Sequence, residues 1–309
     1  MNHASCFPFP PTEPFDHASM TVALESIYHT YPSLDFQYLG SSILGKGIPL
    51  LSVGTGSRSV LYIGTHHGME WITSCLLVRF LEELCRADVE NATEYNHSIA
   101  LLLKIYRLYF IPMLNPDGVE YQIHGVQEDN PLRERLLTAN NDSTDFSHWQ
   151  ANARGVDLNH NYDAGFWEYK KWEAENGIFN AAPTRFAGNA PESEPETHAL
   201  CNFIRYHTEI CGILTLHTQG EEIYYSSQGK APAHASRIAQ RMARMSGYKL
   251  SCAEGPSAYS GLTDWCVQDR NLCSFTLECG LGENPLPITD LPSIYSNLRR
   301  LFFLFPTLL

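Results

Sequence analysis

Four polar residues at the ends of apolar runs carry the most pointed chemistry in this 309-residue chain. His67 and Glu70 lie just past the run Val60–Ile63, His217 closes Gly212-Ile213-Leu214-Thr215-Leu216, and Glu278 closes Ser274-Phe275-Thr276-Leu277. At a strand-to-helix junction, a His and a Glu separated by two residues can turn an imidazole nitrogen and a carboxylate onto one cation. Two His and one Glu form a ligand set for catalytic zinc, which leaves a fourth position for water. A divalent cation brings the pKa of such a water toward neutrality, and a neighbouring carboxylate such as Glu278 then takes its proton. Each residue alone has a plainer reading. HxxE arises by chance, a Glu at a helix start favours the macrodipole, and a His closing a buried strand is often a satisfied core residue. A carboxylate closing an apolar strand, by contrast, is costly to bury without a partner.

The surrounding elements decide whether these groups meet. An amphipathic stretch from Met20 to Tyr31 ends before Pro32, as helices do near proline. Ile48–Val53 and Val60–Ile63 are β-branched or apolar runs. From Trp71 to Arg86 the apolar residues recur at three and four, which predicts a buried helix starting just after Glu70. Ala100–Ile111 is a long apolar run ending at Pro112 and a turn signal, Asn115-Pro116-Asp117-Gly118, and reads as a central strand. Residues 122–155 are polar and without period, a long loop region with one helix at most. Ser193–Tyr206 predicts a helix capped by Ser193 with Pro195 in its first turn. A strand over Ile213–Leu216, a helix over 233–246, a strand over 274–277 and a closing helix over 294–304 follow. Strands alternating with helices predict an α/β fold, a single domain with a central mixed, mostly parallel β-sheet flanked by helices on both faces. Residues 1–17, rich in Pro and Phe, form an extended N-terminal arm in this reading, and 18–309 the catalytic domain. In such sheets ligands gather outside the C-terminal ends of the strands, where His67, His217 and Glu278 all fall.

Composition sets limits on partners. With 21 Lys+Arg against 34 Asp+Glu the net charge is −13, which repels nucleic acid and anionic membrane surfaces at long range. No basic stretch followed by an apolar one opens the chain and no run of eighteen apolar residues occurs, so a soluble cytoplasmic protein is expected. The nine cysteines show no CxxC pair, which suits reduced thiols.

Taken together, these segments resemble the zinc metallocarboxypeptidase family over most of the chain. Gly64-Thr65-His66-His67-Gly68-Met69-Glu70-Trp71 resembles its first metal motif, Asn115-Pro116-Asp117-Gly118 and Gly155-Val156-Asp157-Leu158-Asn159-His160-Asn161-Tyr162 its next landmarks. Leu216-His217-Thr218-Gln219 resembles the third ligand's site, Ser257–Trp265 the mobile tyrosine segment, and Phe275-Thr276-Leu277-Glu278 the strand of the general base. The resemblance implies one Zn²⁺ per chain on His67, Glu70 and His217, with Glu278 as base. It implies Asn159 as a donor to a substrate's terminal carboxylate and Tyr259 as a residue folding over the substrate. It also implies an arginine that stabilises the oxyanion, for which Arg154 is the candidate, with Arg133, Arg135 and Arg185 as rivals; Trp71 and Asp264 are read as structural or as supports behind the ligands. Where digestive members carry arginine after the carboxylate-binding asparagine, this chain has His160, a weaker and pH-dependent grip.

Several segments are closer to the bacterial γ-D-glutamyl-meso-diaminopimelate peptidase branch: Asn152–Asn159, Leu216–Tyr224, and Glu278 running on to Gly282–Pro287. A diaminopimelate site needs both signs of charge, so Glu221 and Glu222 are candidates for its ammonium and His160 or a loop Arg for its carboxylate. The resemblance implies a small peptide substrate, a muropeptide. A deacylase of N-acyl amino acids on the same fold, and a non-catalytic zinc-containing muropeptide-binding protein, are the alternatives.

Overall fold

The computed structural model describes residues 10–11 and 14–309. Of the expected arm, most lies outside the described residues; Phe15 is buried and Asp16 caps the first helix, its carboxylate accepting from Ser19 N. That helix, α1, spans His17–Thr30.

The main sheet has eight strands: β1 (Leu34–Ser41), β2 (Gly47–Val53), β3 (Arg58–Ile63), β6 (Tyr106–Ile111), β7 (Ile210–His217), β8 (Glu222–Tyr224), β9 (Lys249–Leu250) and β10 (Cys273–Glu278). Between them β4 (Thr93–Glu94) and β5 (His97–Ser98) form a separate hairpin. The order across the main sheet is β1-β2-β6-β3-β7-β10-β8-β9. The central four, β6, β3, β7 and β10, run parallel, while β1, β2 and β8 join by antiparallel pairing. The expected mixed, mostly parallel sheet is therefore present.

Alternate residues of the central strands feed two separate cores, as the pleat requires. Val60 and Tyr62 face one core with helices α2 (Ile72–Val89), α8 (Ala235–Ser246) and α10 (Leu291–Leu304). Leu61 and Ile63 face the other, with α7 (Pro195–Tyr206) and α9 (Leu262–Arg270). Burial on both faces explains why these strands read as unbroken apolar runs.

Three expectations change. Ala100–Ile111 is not one strand but α3 (Ile99–Ile105) leading into β6: the Ser98 hydroxyl caps α3, Leu102 and Leu103 are buried, and Leu101 and Ile105 are 59% and 54% exposed. That is helical spacing inside an apolar run whose composition alone fits either state. The Asn115–Gly118 turn is the start of α4 (Pro116–His124), with the Asn115 side chain accepting from Gly118 N and Pro116 in the first turn. The 193–206 helix begins at Pro195 after Glu194, because the Ser193 hydroxyl is engaged with Asn161 and Glu194. Residues 122–155 hold α5 (Arg133–Ala139) as their one full helix; β1 and α6 (Phe166–Glu175) lacked a clear periodic signal. None of the eight cysteines among the described residues is in a disulfide. No described helix is long and apolar enough to cross a membrane.

Candidate metal centre

The parallel strands place three of the four residues at one sheet edge. β10 pairs with β7 so that Glu278 stands directly opposite His217, and β3 ends beside β7 with Ile63 opposite Thr215. Beyond β3 the chain passes through Thr65 at φ 53 and turns into a short 3₁₀ helix, Gly68–Glu70, that brings Glu70 back under His67. Gly68 permits this turn, since a Cβ there would sit 2.3 Å from the Gly118 carbonyl oxygen.

The ligand-type atoms of His67, Glu70 and His217 all lie within 4.8 Å of one another. Glu70 bridges the pair: its Oε1 is 2.9 Å from His67 Nδ1 and its Oε2 is 3.1 Å from His217 Nδ1. Thr218 N also donates to Glu70 Oε2, at 3.3 Å. His67 Nε2 is 3.0 Å from Asp157 Oδ1, which fixes the ring with Nδ1 toward Glu70. His217 is buried, and its Nε2 has no partner among the described residues. Two carboxylates hold His67 well into the protonated state against the opposing effect of burial. In such a nest a divalent cation can replace protons, so the donor set fits zinc, with both Nδ1 atoms and the Glu70 carboxylate facing the same point.

Asp157 is itself anchored. Its carboxylate accepts from Arg185 N at 2.9 Å and Asn159 N at 3.1 Å, and burial is overcome by His67 and His160, which keep it well below the usual carboxylate range. Partners of this kind orient ligand imidazoles. Asp157→Asn is therefore expected to weaken zinc binding about 10 to 100-fold, read by competition with a zinc chelator. Affinity equal to the parent's would remove Asp157 from that role.

A cavity of about 290 Å³ opens on these residues, and Glu278, Asn159, His160, Gln150, Tyr224 and Asp264 share its wall. Burial pushes the Glu278 carboxyl up to about 8, and the Glu70 charge pushes the same way. Asn159 Oδ1 accepts from Leu262 N at 3.2 Å, which leaves its amide N–H groups for the cavity. His160 stacks on Tyr169 at 4.1 Å between centroids, and its Nδ1 sits 3.0 Å from the Tyr259 carbonyl oxygen. Burial lowers its pKa against the pull of Asp157, and the residue lines the cavity. Asp264 accepts from Gly261 N at 3.1 Å, and burial raises it to about 6.

Other expected site residues stand elsewhere. Arg154 is 45% exposed, 3.6 Å from Glu194, and lines a different small cavity with Arg135. The local cause is a reversal: Asn152 Oδ1 accepts from both Arg154 N and Val156 N, and Gly155 adopts φ 72, so the side chain at 154 leaves on the far side. Arg133 and Arg135 line surface hollows, and Arg185 lies 5.8 Å from the Trp172 ring. No Lys or Arg among the described residues lines the cavity at the His-Glu-His cluster. Tyr259 packs its ring against Gly165 rather than in the cavity. Neither Glu221 nor Glu222 lines it; Glu222 accepts from the Tyr224 hydroxyl and stands opposite Glu278 across the β8–β10 pair. Trp71 donates to Gln122 at 2.9 Å, away from the site. Gln150, like Thr218, Tyr224, Thr263 and Thr276, is a wall residue that spacing alone does not reveal. A polar residue between buried Trp149 and buried Ala151 was its one local signal.

Known proteins share this chain's sequence pattern and fold. The sequence pattern of the zinc carboxypeptidase family matches residues 20–299. A γ-D-glutamyl-L-diamino acid endopeptidase from Lysinibacillus sphaericus is 32% identical over 290 residues, 93% of this chain and 71% of the relative. Carboxypeptidase B from Bos taurus is 27% identical over 259 residues, 78% of this chain and 56% of the relative. Bovine thrombin-activatable fibrinolysis inhibitor, solved with a tick carboxypeptidase inhibitor, superposes with a TM-score of 0.70 at 19% identity over 96% of this chain and 97% of that one. With a zinc-competent His-Glu-His cluster at the edge of a parallel sheet and a family match over nearly its whole length, this chain belongs to the zinc carboxypeptidase family.

Proposed function

We propose that this zinc metallopeptidase cleaves amide bonds in small peptides that carry a diamino acid, of the γ-D-glutamyl-diaminopimelate type. The observation that carries the reading is the cavity wall. It brings carboxylates, Glu278 and Asp264, to the reacting end and has no Lys or Arg among the described residues. A substrate gripped only by a free terminal carboxylate finds no fixed cation there, whereas an ammonium beside the scissile bond meets carboxyl oxygens that can accept its N–H groups. His160, its pKa lowered by burial and its Nδ1 engaged with the Tyr259 carbonyl, is not a fixed cation for a carboxylate. The relative's named activity on a γ-D-glutamyl-L-diamino acid bond is of the same substrate class.

In this mechanism His67, Glu70 and His217 hold Zn²⁺, which when bound supplies Lewis-acid polarisation of the scissile carbonyl and eases ionisation of water. Glu278 takes a proton from the attacking water and passes it to the leaving nitrogen as the C–N bond breaks and a C–O bond forms. Asn159 donates from its amide to an oxygen of the substrate on the leaving side, held in place by its own oxygen's bond to Leu262 N.

The test is incubation of the zinc-loaded protein with L-Ala-γ-D-Glu-meso-diaminopimelate and, separately, with simple peptides bearing free C-termini, followed by mass analysis. Cleavage of the first at the γ-D-Glu bond, at 10-fold or greater kcat/KM, is expected. Cleavage of simple peptides only would overturn the substrate class, and stoichiometric zinc with no turnover on any peptide would support a binding protein instead.

A further inference from the structure

A cavity that generates negative charge on a carbonyl oxygen but has no Lys or Arg among its described wall residues needs another donor. Electrostatic stabilisation of that oxygen is commonly the largest single contribution to acyl-transfer catalysis, and preorganised N–H groups supply it. Gln150 is so placed. It shares the wall with His67, Glu70, His217 and Glu278.

Its orientation is fixed twice over. The backbone is locked to the ligand loop: Gln150 O accepts from Gly68 N at 2.9 Å, one residue after His67, and from Asn115 Nδ2 at 3.1 Å, while Gln150 N donates to Pro183 O at 3.0 Å. The side-chain oxygen is taken by the Thr184 hydroxyl, which donates to Oε1. Of the amide's hydrogen-bonding groups, the two N–H donors are thus the ones left for the cavity, on a residue whose main chain moves with the metal ligands.

We infer that the side-chain amide of Gln150 donates to the scissile carbonyl oxygen as it becomes negative, taking the part expected of Arg154, and that Thr184 is the positioning residue that turns the amide outward. The inference rests on the peptidase reading above. A neutral amide stabilises the oxyanion less than a guanidinium would, but it leaves the cavity free of fixed positive charge, which keeps an ammonium-bearing substrate from being repelled.

The experiment compares Gln150→Ala, Gln150→Lys, Thr184→Val and Arg185→Ala with the parent on the peptide the parent cleaves, alongside zinc stoichiometry, thermal unfolding and calorimetric affinity for a phosphonate analogue of that peptide, whose tetrahedral oxygens imitate the oxyanion. Because Gln150 is tied to the ligand loop and to Pro183 through its backbone, and its side chain adds one bond from the Thr184 hydroxyl, Gln150→Ala is expected to fold and bind one zinc. It should lose about 10²-fold in kcat with little change in KM, and lose affinity for the phosphonate but not for the cleaved product. Gln150→Lys should recover part of the loss, and Thr184→Val should lower kcat by a smaller factor at unchanged zinc content. Parent-level kcat and phosphonate affinity in Gln150→Ala, or both losses appearing in Arg185→Ala instead, would overturn the assignment. A parent that binds zinc and the phosphonate yet cleaves no peptide removes the peptidase reading. Phosphonate affinity lost in Gln150→Ala would then still support Gln150 as the oxyanion donor, and unchanged affinity would overturn it.

Discussion

Glu278→Gln is expected to lower kcat by about 10² to 10⁴-fold, the span that a positioned proton-transfer group contributes, while zinc remains stoichiometric. The two side chains have the same shape, so the strand end keeps its geometry: Glu278 is held opposite His217 by the β7–β10 pairing, and Phe275 and Leu277 beneath it are fully buried. What changes is that an amide cannot accept the water's proton. Because Glu278 lies outside the three-residue ligand cluster, metal content should not follow activity. Turnover within 10-fold of the parent at equal zinc occupancy would take Glu278 out of the reaction.

His217→Ala is expected to act one step earlier, on the metal. His217 Nδ1 is one of the three convergent donors, and Glu70 is held by it from one side and by His67 from the other. Removing it should weaken zinc by more than the roughly 10 to 100-fold attributable to an outer partner such as Asp157, and turnover should vanish at zinc concentrations that saturate the parent. In the parent, a strong chelator should abolish activity and added Zn²⁺ restore it. Equal zinc affinity in parent and variant, measured by chelator competition, would dissolve the ligand set as proposed. Glu278→Gln and His217→Ala thus separate: one loses rate with metal, the other loses metal.

The centre was legible because its residues sit where apolar runs stop. His217 and Glu278 end strands buried on both faces, and a run of apolar residues with one polar terminus gives away both the strand and its open end. His67 and Glu70 followed from the short path between β3 and α2, two elements that sequence period locates well. The walls of the cavity were less legible, because they come from irregular chain whose direction depends on single hydrogen bonds. Arg154 is the clearest case: its position one residue before Gly155 suggested the site, yet the Asn152 side chain and the left-handed Gly155 reverse the chain and send it to Glu194. Gln150, four residues earlier, is delivered instead. Secondary structure was misread where composition is ambiguous, as in Ile99–Ile105, whose aliphatic residues suit a strand until Ser98 caps them into a helical turn.

The side-by-side alignment of His217 and Glu278 on neighbouring parallel strands sets a yardstick inside the site. Adjacent strands lie about 4.8 Å apart, so the gap between the imidazole's anchor and the acid's anchor is one lattice step of the sheet, not a loop distance that thermal drift can stretch. Relatives that trade loops around the mouth can thus change what they admit without retuning the spacing on which proton transfer depends.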